Sequence, residues 1–156
     1  MKQKLKLETD FIDFVKLCNK YDVEYLVIGG YAVSIHGYPR STKDLDICIK
    51  ISEENSEKMV QVIKEFGFAS LKLTKEDFLK SNFFTQLGYD PVRIDIVNDL
   101  DAVPFEVAWM NKRIVDFENT KINFIGYADL LKVKESAGRP QDLADIHKLR
   151  SRNKNK

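Results

Sequence analysis

Cysteine, histidine and long apolar runs are all scarce in this chain of 156 residues. Its two cysteines, Cys18 and Cys48, are too few for a disulfide framework and lack the spacing of a metal site. Its two histidines stand alone, without the spacing of metal ligands. No stretch approaches the ~18 apolar residues of a membrane span, and the first residues lack the apolar segment of a signal peptide. We therefore expect a cytoplasmic protein without a membrane partner.

Net charge is also nearly absent, because 25 basic residues face 24 acidic ones. The two signs are unevenly spread. Three lysines stand in residues 1–6 and five basic residues follow His147, with no carboxylate in either segment. Between these ends, 17 basic residues face 24 acidic ones, which argues against nucleic-acid binding over the whole surface. We expect residues 151–156 to form a basic, disordered tail that is able to touch RNA.

The composition, with 44% hydrophobic and 31% charged residues, is that of an ordinary globular protein. The length predicts a single domain over residues 1–150. Apolar periodicity predicts helices near 11–18, 31–36, 53–66, 105–111, 127–137 and 140–150. It predicts strands at 25–28, 44–49, 83–87, 92–97, 113–117 and 121–125. This order predicts an α/β (α+β) fold in which helices pack on a mixed β-sheet.

Carboxylates alternate with apolar residues in two of the predicted strands. Asp44 and Asp46 flank one apolar residue, so both point to the same side of their strand. Asp95 alternates with apolar neighbours on another strand. Neighbouring carboxylates repel each other unless a cation lies between them, and Mg²⁺ favours carboxylates together with water and substrate phosphates. If the two strands are neighbours, the three carboxylates can hold two ions for phosphoryl or nucleotidyl transfer.

A pair of glycines lies between the first strand and a short predicted helix. Without side chains, Gly29 and Gly30 allow backbone N–H groups and the helix N-terminus to approach phosphate oxygens closely. Arg40 follows in the loop before Asp44. Its position allows either a contact to phosphate or a structural ion pair with an acid. The sequence leaves both roles of Arg40 open.

Three motifs in this order resemble the nucleotidyltransferase superfamily, the group with a DNA-polymerase-β-like catalytic domain. They are Val27-Ile28-Gly29-Gly30, Asp44-Leu45-Asp46-Ile47 and Ile94-Asp95-Ile96. The stretch from Tyr25 to Ile47 is especially similar to small prokaryotic members akin to abortive-infection and toxin–antitoxin nucleotidyltransferases. Such members also share a C-terminal pattern, which here reads Lys134, Arg139-Pro140-Gln141-Asp142 and Asp145. The resemblance covers roughly Glu24 to Leu149 and implies a nucleotidyltransferase-like fold.

The resemblance also implies a catalytic role for each of the three carboxylates. Asp44 and Asp46 would bind the metal ion and the triphosphate, and Asp95 would complete the metal site and activate the acceptor. The residues themselves leave a structural alternative for Asp95, which is a salt bridge to Arg93 or Lys121.

Nucleotide binding is implied for Gly29 and Gly30, which would cradle phosphate, and for Lys134, which would neutralise triphosphate charge. Gly30 departs from the serine of many members, so a hydroxyl contact to phosphate is missing at that position. Arg139, Asp142 and Asp145 are expected to be structural, because their spacing permits local ion pairing and an acid suits the first helical turn.

The expected activity is transfer of a nucleoside monophosphate from an NTP such as ATP, dependent on Mg²⁺ or Mn²⁺, with release of pyrophosphate. The acceptor group is a hydroxyl or a phosphate. It belongs to an RNA end, to a partner protein in a toxin–antitoxin pair, or to a small molecule of the aminoglycoside or lincosamide type. The alternative is a non-catalytic module that binds a nucleotide or a partner within a two-gene system.

Overall fold

A computed structural model describes residues 7–154, which contain seven α-helices and six β-strands. The helices are α1 (Thr9–Lys20), α2 (Gly29–Ile35), α3 (Glu53–Ile63), α4 (Lys75–Leu79), α5 (Phe105–Met110), α6 (Tyr127–Ala137) and α7 (Pro140–Asn153). The strands are β1 (Tyr25–Ile28), β2 (Asp44–Ile49), β3 (Phe84–Tyr89), β4 (Val92–Val97), β5 (Arg113–Phe117) and β6 (Thr120–Phe124).

The six strands form one mixed sheet in the order β3-β4-β2-β1-β6-β5. The neighbours β2 and β4 run parallel, as do β1 and β6, whereas β1 and β2 are antiparallel. Two hairpins, β3–β4 and β5–β6, form the two edges of the sheet. Helices pack on this sheet, so the predicted α/β fold with a mixed sheet is confirmed.

Alternation along β2 separates the hydrophobic core from the face that carries the acids. Leu45 and Ile47 are buried in the core, to which α1 contributes Phe11 and Phe14. The residues of β2 that point the other way begin with two half-buried aspartates. Leu45 and Ile47 therefore stabilise the fold on one face of this central strand, while the first half of the opposite face carries the acids before Cys48 returns to the core.

Helix boundaries differ from the predictions at several places. The helix predicted over 31–36 begins at Gly29, so the two glycines are its first residues rather than a turn before it. The predicted helix over 53–66 ends as an α-helix at Ile63 and continues as a π-helical turn (Lys64–Phe68), within which Gly67 has φ +107°. The short helix α4 was not predicted. It begins with a capping box in which Thr74 accepts a hydrogen bond from the Asp77 backbone N–H, and the Asp77 carboxylate accepts from the Thr74 N–H.

The C-terminal end also differs from expectation. The expected tail begins at residue 151, but α7 continues to Asn153, so residues 151–153 are helical rather than disordered. The Asn153 amide donates to the backbone carbonyls of His36 and Leu149, which anchors this last turn. Residues 155–156 of the expected tail lie outside the described residues. Within residues 7–154, no helix is long and apolar enough to cross a lipid bilayer.

Candidate active site

Strand register brings the three predicted carboxylates to one place on the sheet. β2 and β4 are parallel neighbours in which Asp46 lies directly beside Asp95 and Asp44 lies beside Arg93. Adjacent strands are about 4.8 Å apart, and residues two apart on a strand are separated by roughly 6.6 Å. Asp44, Asp46 and Asp95 therefore share one face with their Cα atoms within about 8 Å of one another, and we call them the carboxylate cluster.

Gly29 is required by the position of Asp46. Its φ is +70°, and a Cβ atom at Gly29 would lie 2.1 Å from Oδ2 of Asp46. Because Gly29 has no side chain, the Asp46 carboxylate occupies the space in which a Cβ atom would lie. Gly30 is buried, and a Cβ atom there would lie 2.6 Å from Oγ1 of Thr42. The hydroxyl of Thr42 therefore lies beside Gly30, the position at which many nucleotidyltransferases have serine.

Electrostatic repulsion is strong within the carboxylate cluster. Burial and the charges of Asp95 and Asp44 raise the pKa of Asp46 to about 7. Burial and a hydrogen bond with the carboxyl group of Asp90 raise the pKa of Asp44. Oδ1 of Asp44 is shielded from solvent and has no hydrogen-bond partner. The cluster holds more negative charge than its surroundings neutralise.

Among residues 7–154, Arg93 is the cation that forms ion pairs with this cluster. Arg93 donates two hydrogen bonds to Asp95, from Nε to Oδ1 at 2.9 Å and from Nη2 to Oδ2 at 3.0 Å. Its Nη1 lies 3.8 Å from Oδ2 of Asp44. The structural alternative for Asp95, a salt bridge to Arg93, therefore exists. The other proposed salt bridge, from Asp95 to Lys121, is wrong. Lys121 lies on β6, which is separated from β4 by the strands β1 and β2.

The donor set suits a hard divalent cation, although it is not arranged as a finished metal site. Among residues 7–154, no three acidic, histidine or cysteine side chains are placed to hold a metal ion as they stand. Asp95 is occupied by a guanidinium, whereas Asp44 presents an oxygen without a partner. Carboxylate oxygens are the ligands that Mg²⁺ and Mn²⁺ prefer. The residues fit such an ion once both oxygens of Asp95 are no longer held by Arg93.

A second charged group lies between α6 and α7, and we call Lys134, Asp142, Asp145, Arg40 and Arg139 the α6–α7 ion cluster. The ammonium of Lys134 lies 3.1 Å from both carboxylates. Arg139 donates to Asp142 at 2.7 Å, and Arg40 donates from Nη2 to Asp145 at 3.2 Å. Both cations predicted to bind nucleotide, Arg40 and Lys134, thus have carboxylate partners. The expected ion pairing of Arg139 with Asp142 is present.

The two clusters influence each other. The positive charge of Lys134 lowers the pKa of Asp46, against the larger effects that raise it. Lys134 is only 6% exposed, so its described position favours an electrostatic role over a direct contact to phosphate. A concavity of about 790 Å³ between the end of α1 and the β5–β6 hairpin includes none of the carboxylate cluster in its lining. The carboxylate cluster lies on the sheet face rather than in that concavity.

Sequence reasoning missed two residues that touch this site. Asp90 lies in the turn between β3 and β4, and only the fold of that hairpin brings its carboxyl group to Asp44. Thr42 fills the space above Gly30. A signal for Thr42 existed, since a hydroxyl residue two positions before the acidic strand is within reach of the glycine turn.

Similar folds occur in solved structures of nucleotidyltransferases. A protein of Thermotoga maritima, described as a candidate nucleotidyltransferase, is 18% identical with a TM-score of 0.58, and the match covers 88% of each chain. An antigenic nucleotidyltransferase-like protein of Paracoccidioides brasiliensis is 12% identical with a TM-score of 0.56, over 88% of this chain and 72% of that one. The lincosamide antibiotic adenylyltransferase LnuA, solved with lincomycin bound, is 17% identical with a TM-score of 0.52, over 95% of this chain and 99% of LnuA.

No family model matches the sequence, and no curated protein matches it. The likeness at these identities establishes the fold, and the expected nucleotidyltransferase-like fold is confirmed by it. The activity has to be argued from the site.

Proposed function

We propose that this chain transfers a nucleoside monophosphate from an NTP to an acceptor, with Mg²⁺ or Mn²⁺ held by Asp44, Asp46 and Asp95. The observation that carries the proposal is the register of β2 and β4, which places Asp46 beside Asp95 on the face that also carries Asp44. The raised pKa of Asp46, about 7, supports it, because this carboxylate lacks the cation that would stabilise its charge.

The reaction forms a bond from an acceptor oxygen to the α-phosphorus and breaks the bond from that phosphorus to the bridging oxygen. Pyrophosphate leaves with the electron pair of the broken bond. A bound divalent ion supplies charge neutralisation at the triphosphate and a lower pKa for the attacking hydroxyl. Asp44 and Asp46 orient the triphosphate, and Asp95 accepts the proton of the acceptor. Gly29 lies against Asp46, and the backbone N–H groups of Gly29 and Gly30 would donate to phosphate oxygens of the bound NTP.

A small molecule is the acceptor that we propose to test first. LnuA is a lincosamide antibiotic adenylyltransferase solved with lincomycin bound, and its length is almost fully matched by this chain. An RNA end and a hydroxyl of a partner protein are the other two acceptors. The RNA hypothesis rests on the basic C-terminal residues. Deleting them would remove the buried Leu149 and the anchoring contacts of Asn153, so neutralising Arg152 and Lys154 to glutamine is the cleaner test.

The test of the activity is release of pyrophosphate from each of the four NTPs, with Mg²⁺ and in turn lincomycin, RNA and a cell extract as acceptor sources. We expect the double variant Asp44→Asn/Asp46→Asn to lose activity by at least about a hundredfold. Loss of residues that only hydrogen-bond to metal ligands already costs up to about a hundredfold, and this variant changes the proposed ligands themselves. Asp116→Asn is the matched control, since Asp116 is an exposed acid on β5. Activity that persists in the double variant would refute the assignment of these carboxylates.

The alternative function, a module that binds a nucleotide or a partner protein without turnover, is favoured by one observation. Both oxygens of Asp95 are already held by Arg93, so the third carboxylate is not free for chemistry in this conformation. Calorimetric binding of an NTP with Mg²⁺, combined with no pyrophosphate release under any acceptor condition, would establish this alternative. Its partner would then be sought in a two-gene, toxin–antitoxin-like system.

A further inference from the structure

Arg93 joins two strands of the candidate site through a single side chain. It stands two residues before Asp95 on β4 and beside Asp44 on β2, so all three lie on one face of the sheet. Its guanidinium holds both oxygens of Asp95, at 2.9 and 3.0 Å, and its third nitrogen reaches to 3.8 Å from Asp44. The guanidinium therefore lies where a cation shared by these two carboxylates would lie.

A metal ion and this guanidinium need the same oxygens. The fork of an arginine engages both oxygens of a carboxylate at once, and a nearby divalent ion would add repulsion between two cations. Each oxygen of Asp95 keeps a second lone pair, but an ion that joins Asp95 and Asp46 there is repelled by the guanidinium beside it. Any metal that binds at Asp95 has to compete with Arg93.

The ion pair at Asp95 is more accessible than the pair that Lys134 forms with Asp142. The side chains of Arg93 and Asp95 are 31% and 14% exposed, whereas those of Lys134 and Asp142 are 7% and 2% exposed. Arg93 thus has solvent on one side. Arginine pairs with phosphate as readily as with carboxylate, through the same fork of donors.

We infer that Arg93 stands in for the metal at Asp95 and releases that carboxylate by moving to a phosphate of the incoming nucleoside triphosphate. Metal binding at Asp95 is then linked to arrival of the triphosphate. Without the triphosphate, the guanidinium keeps the third carboxylate neutralised and the metal site incomplete. This inference rests on the proposed function, since it assumes that the carboxylate cluster binds a metal and a triphosphate.

Binding of Mn²⁺ alone, followed by electron paramagnetic resonance at a pH well above the pKa of Asp46, tests the competition directly. We expect Arg93→Gln to bind Mn²⁺ about tenfold more tightly than the unmodified chain, because a charge-assisted pair no longer opposes the ion. Arg93→Lys keeps the charge without the fork and should fall between the two. Arg150→Gln, which removes an exposed arginine paired with Glu135, is the matched control and should not change Mn²⁺ affinity.

A second arm adds a non-hydrolysable NTP analogue or, separately, the nucleoside without phosphates. The analogue should tighten Mn²⁺ binding to the unmodified chain severalfold more than it does for Arg93→Gln, and the nucleoside should have little effect on either. Circular dichroism and urea unfolding show whether Arg93→Gln is folded, and the lysine variant provides the same comparison if it is not.

Equal or weaker Mn²⁺ binding by both Arg93 variants would overturn the inference. If the unmodified chain nevertheless releases pyrophosphate, the proposed function stands and only the role of Arg93 fails. If Arg93→Gln binds Mn²⁺ more tightly but no NTP is ever turned over, the competition is real and the catalytic proposal fails instead.

Discussion

The two charged clusters of this fold contain the same kinds of residue in opposite electrostatic states. In the α6–α7 ion cluster, three basic side chains surround two carboxylates whose side chains are 2% and 0% exposed. Burial opposes ionisation of Asp142, yet hydrogen bonds from Arg139 and Lys134 outweigh it and lower its pKa. In the carboxylate cluster, three acids share the single guanidinium of Arg93, and the pKa of Asp46 is raised to about 7.

Acids that belong to the scaffold and acids that belong to the site differ in how their charge is neutralised. Where the chain supplies enough cations, the buried carboxylates between two helices are paired, and removing one partner leaves an uncompensated buried charge. Where it does not, the charge has to be neutralised by protons or by an ion from solution. Changes in the first cluster should therefore affect stability, and changes in the second should affect binding and chemistry.

The largest expected change in stability comes from Lys134→Met. It leaves Asp142 and Asp145 buried without the cation that they share, and breaking a buried ion pair from one side costs about 3 kcal/mol or more. Urea unfolding measures the loss. Lys20→Met, which breaks an exposed pair with Glu65, should have a much smaller effect. Equal losses in the two variants would contradict the distinction between a buried scaffold and the surface.

The next largest effect is a dependence of stability on pH that is caused by the titration of Asp46. Its pKa is raised from 3.8 to about 7 on folding, so its contribution to stability is complete below the unfolded pKa and is lost as pH rises through 7. We compare the free energy of unfolding of metal-free Asp46→Asn with that of the unmodified chain. The difference should shift in favour of the variant by on the order of 2–3 kcal/mol as pH rises from about 5 to 8.

Urea unfolding at several pH values checks this gain, with Asp116→Asn as a control that should show no such trend. Mg²⁺ should reduce the difference between Asp46→Asn and the unmodified chain at pH 8, because the ion stabilises the ionised carboxylate. A difference that is flat with pH would show that Asp46 is not held in a charge-poor environment.

A smaller effect separates two glycines with left-handed backbones. Gly29→Ala and Gly67→Ala both place a Cβ at positive φ, a strain of about 1–3 kcal/mol that is the greater at Gly67, where φ is +107°. Only at Gly29 does the new atom collide with Asp46, whereas nothing lies within 4 Å at Gly67. Gly29→Ala should lose about 1–2 kcal/mol more stability and also Mn²⁺ binding.

Urea unfolding and Mn²⁺ titration of the two alanine variants provide the comparison. If Gly67→Ala also lost Mn²⁺ binding, the effect at Gly29 would be attributable to backbone strain rather than to displacement of the Asp46 carboxylate.

The smallest effect is expected on the surface of α7. Arg150→Gln removes an ion pair with Glu135 in which both side chains are at least half exposed, and such pairs contribute about 0.5 kcal/mol. Its urea midpoint should stay close to that of the unmodified chain. A large loss would mean that surface pairs on α7 contribute to the scaffold in the way that its buried acids do.

Much of this organisation was predictable because it depends on local patterns. Alternation of acids with apolar residues predicted β2 and β4 and the shared orientation of Asp44 and Asp46. The break at Gly29 and the hairpin of β5 and β6 were likewise local. Helix α4 was missed because it is only five residues long, too short for apolar periodicity to appear.

Partners of charged groups were less predictable. Lys134 and Arg40 had the charge and the position of phosphate ligands, yet the packing of α7 gives both of them a carboxylate partner in Asp145. Side chains separated by many residues meet only through the fold, and sequence spacing does not report which charges will be buried together.

The sequence by itself determined the types of element, the face on which the acids lie and the glycine turn beside them, because periodicity and the absence of side chains are local properties. Only the tertiary structure decided that β2 and β4 are adjacent and in register. It also decided that Arg93 holds Asp95 and that a side chain at residue 29 would collide with Asp46. These contacts depend on strand order and packing, which no local pattern encodes.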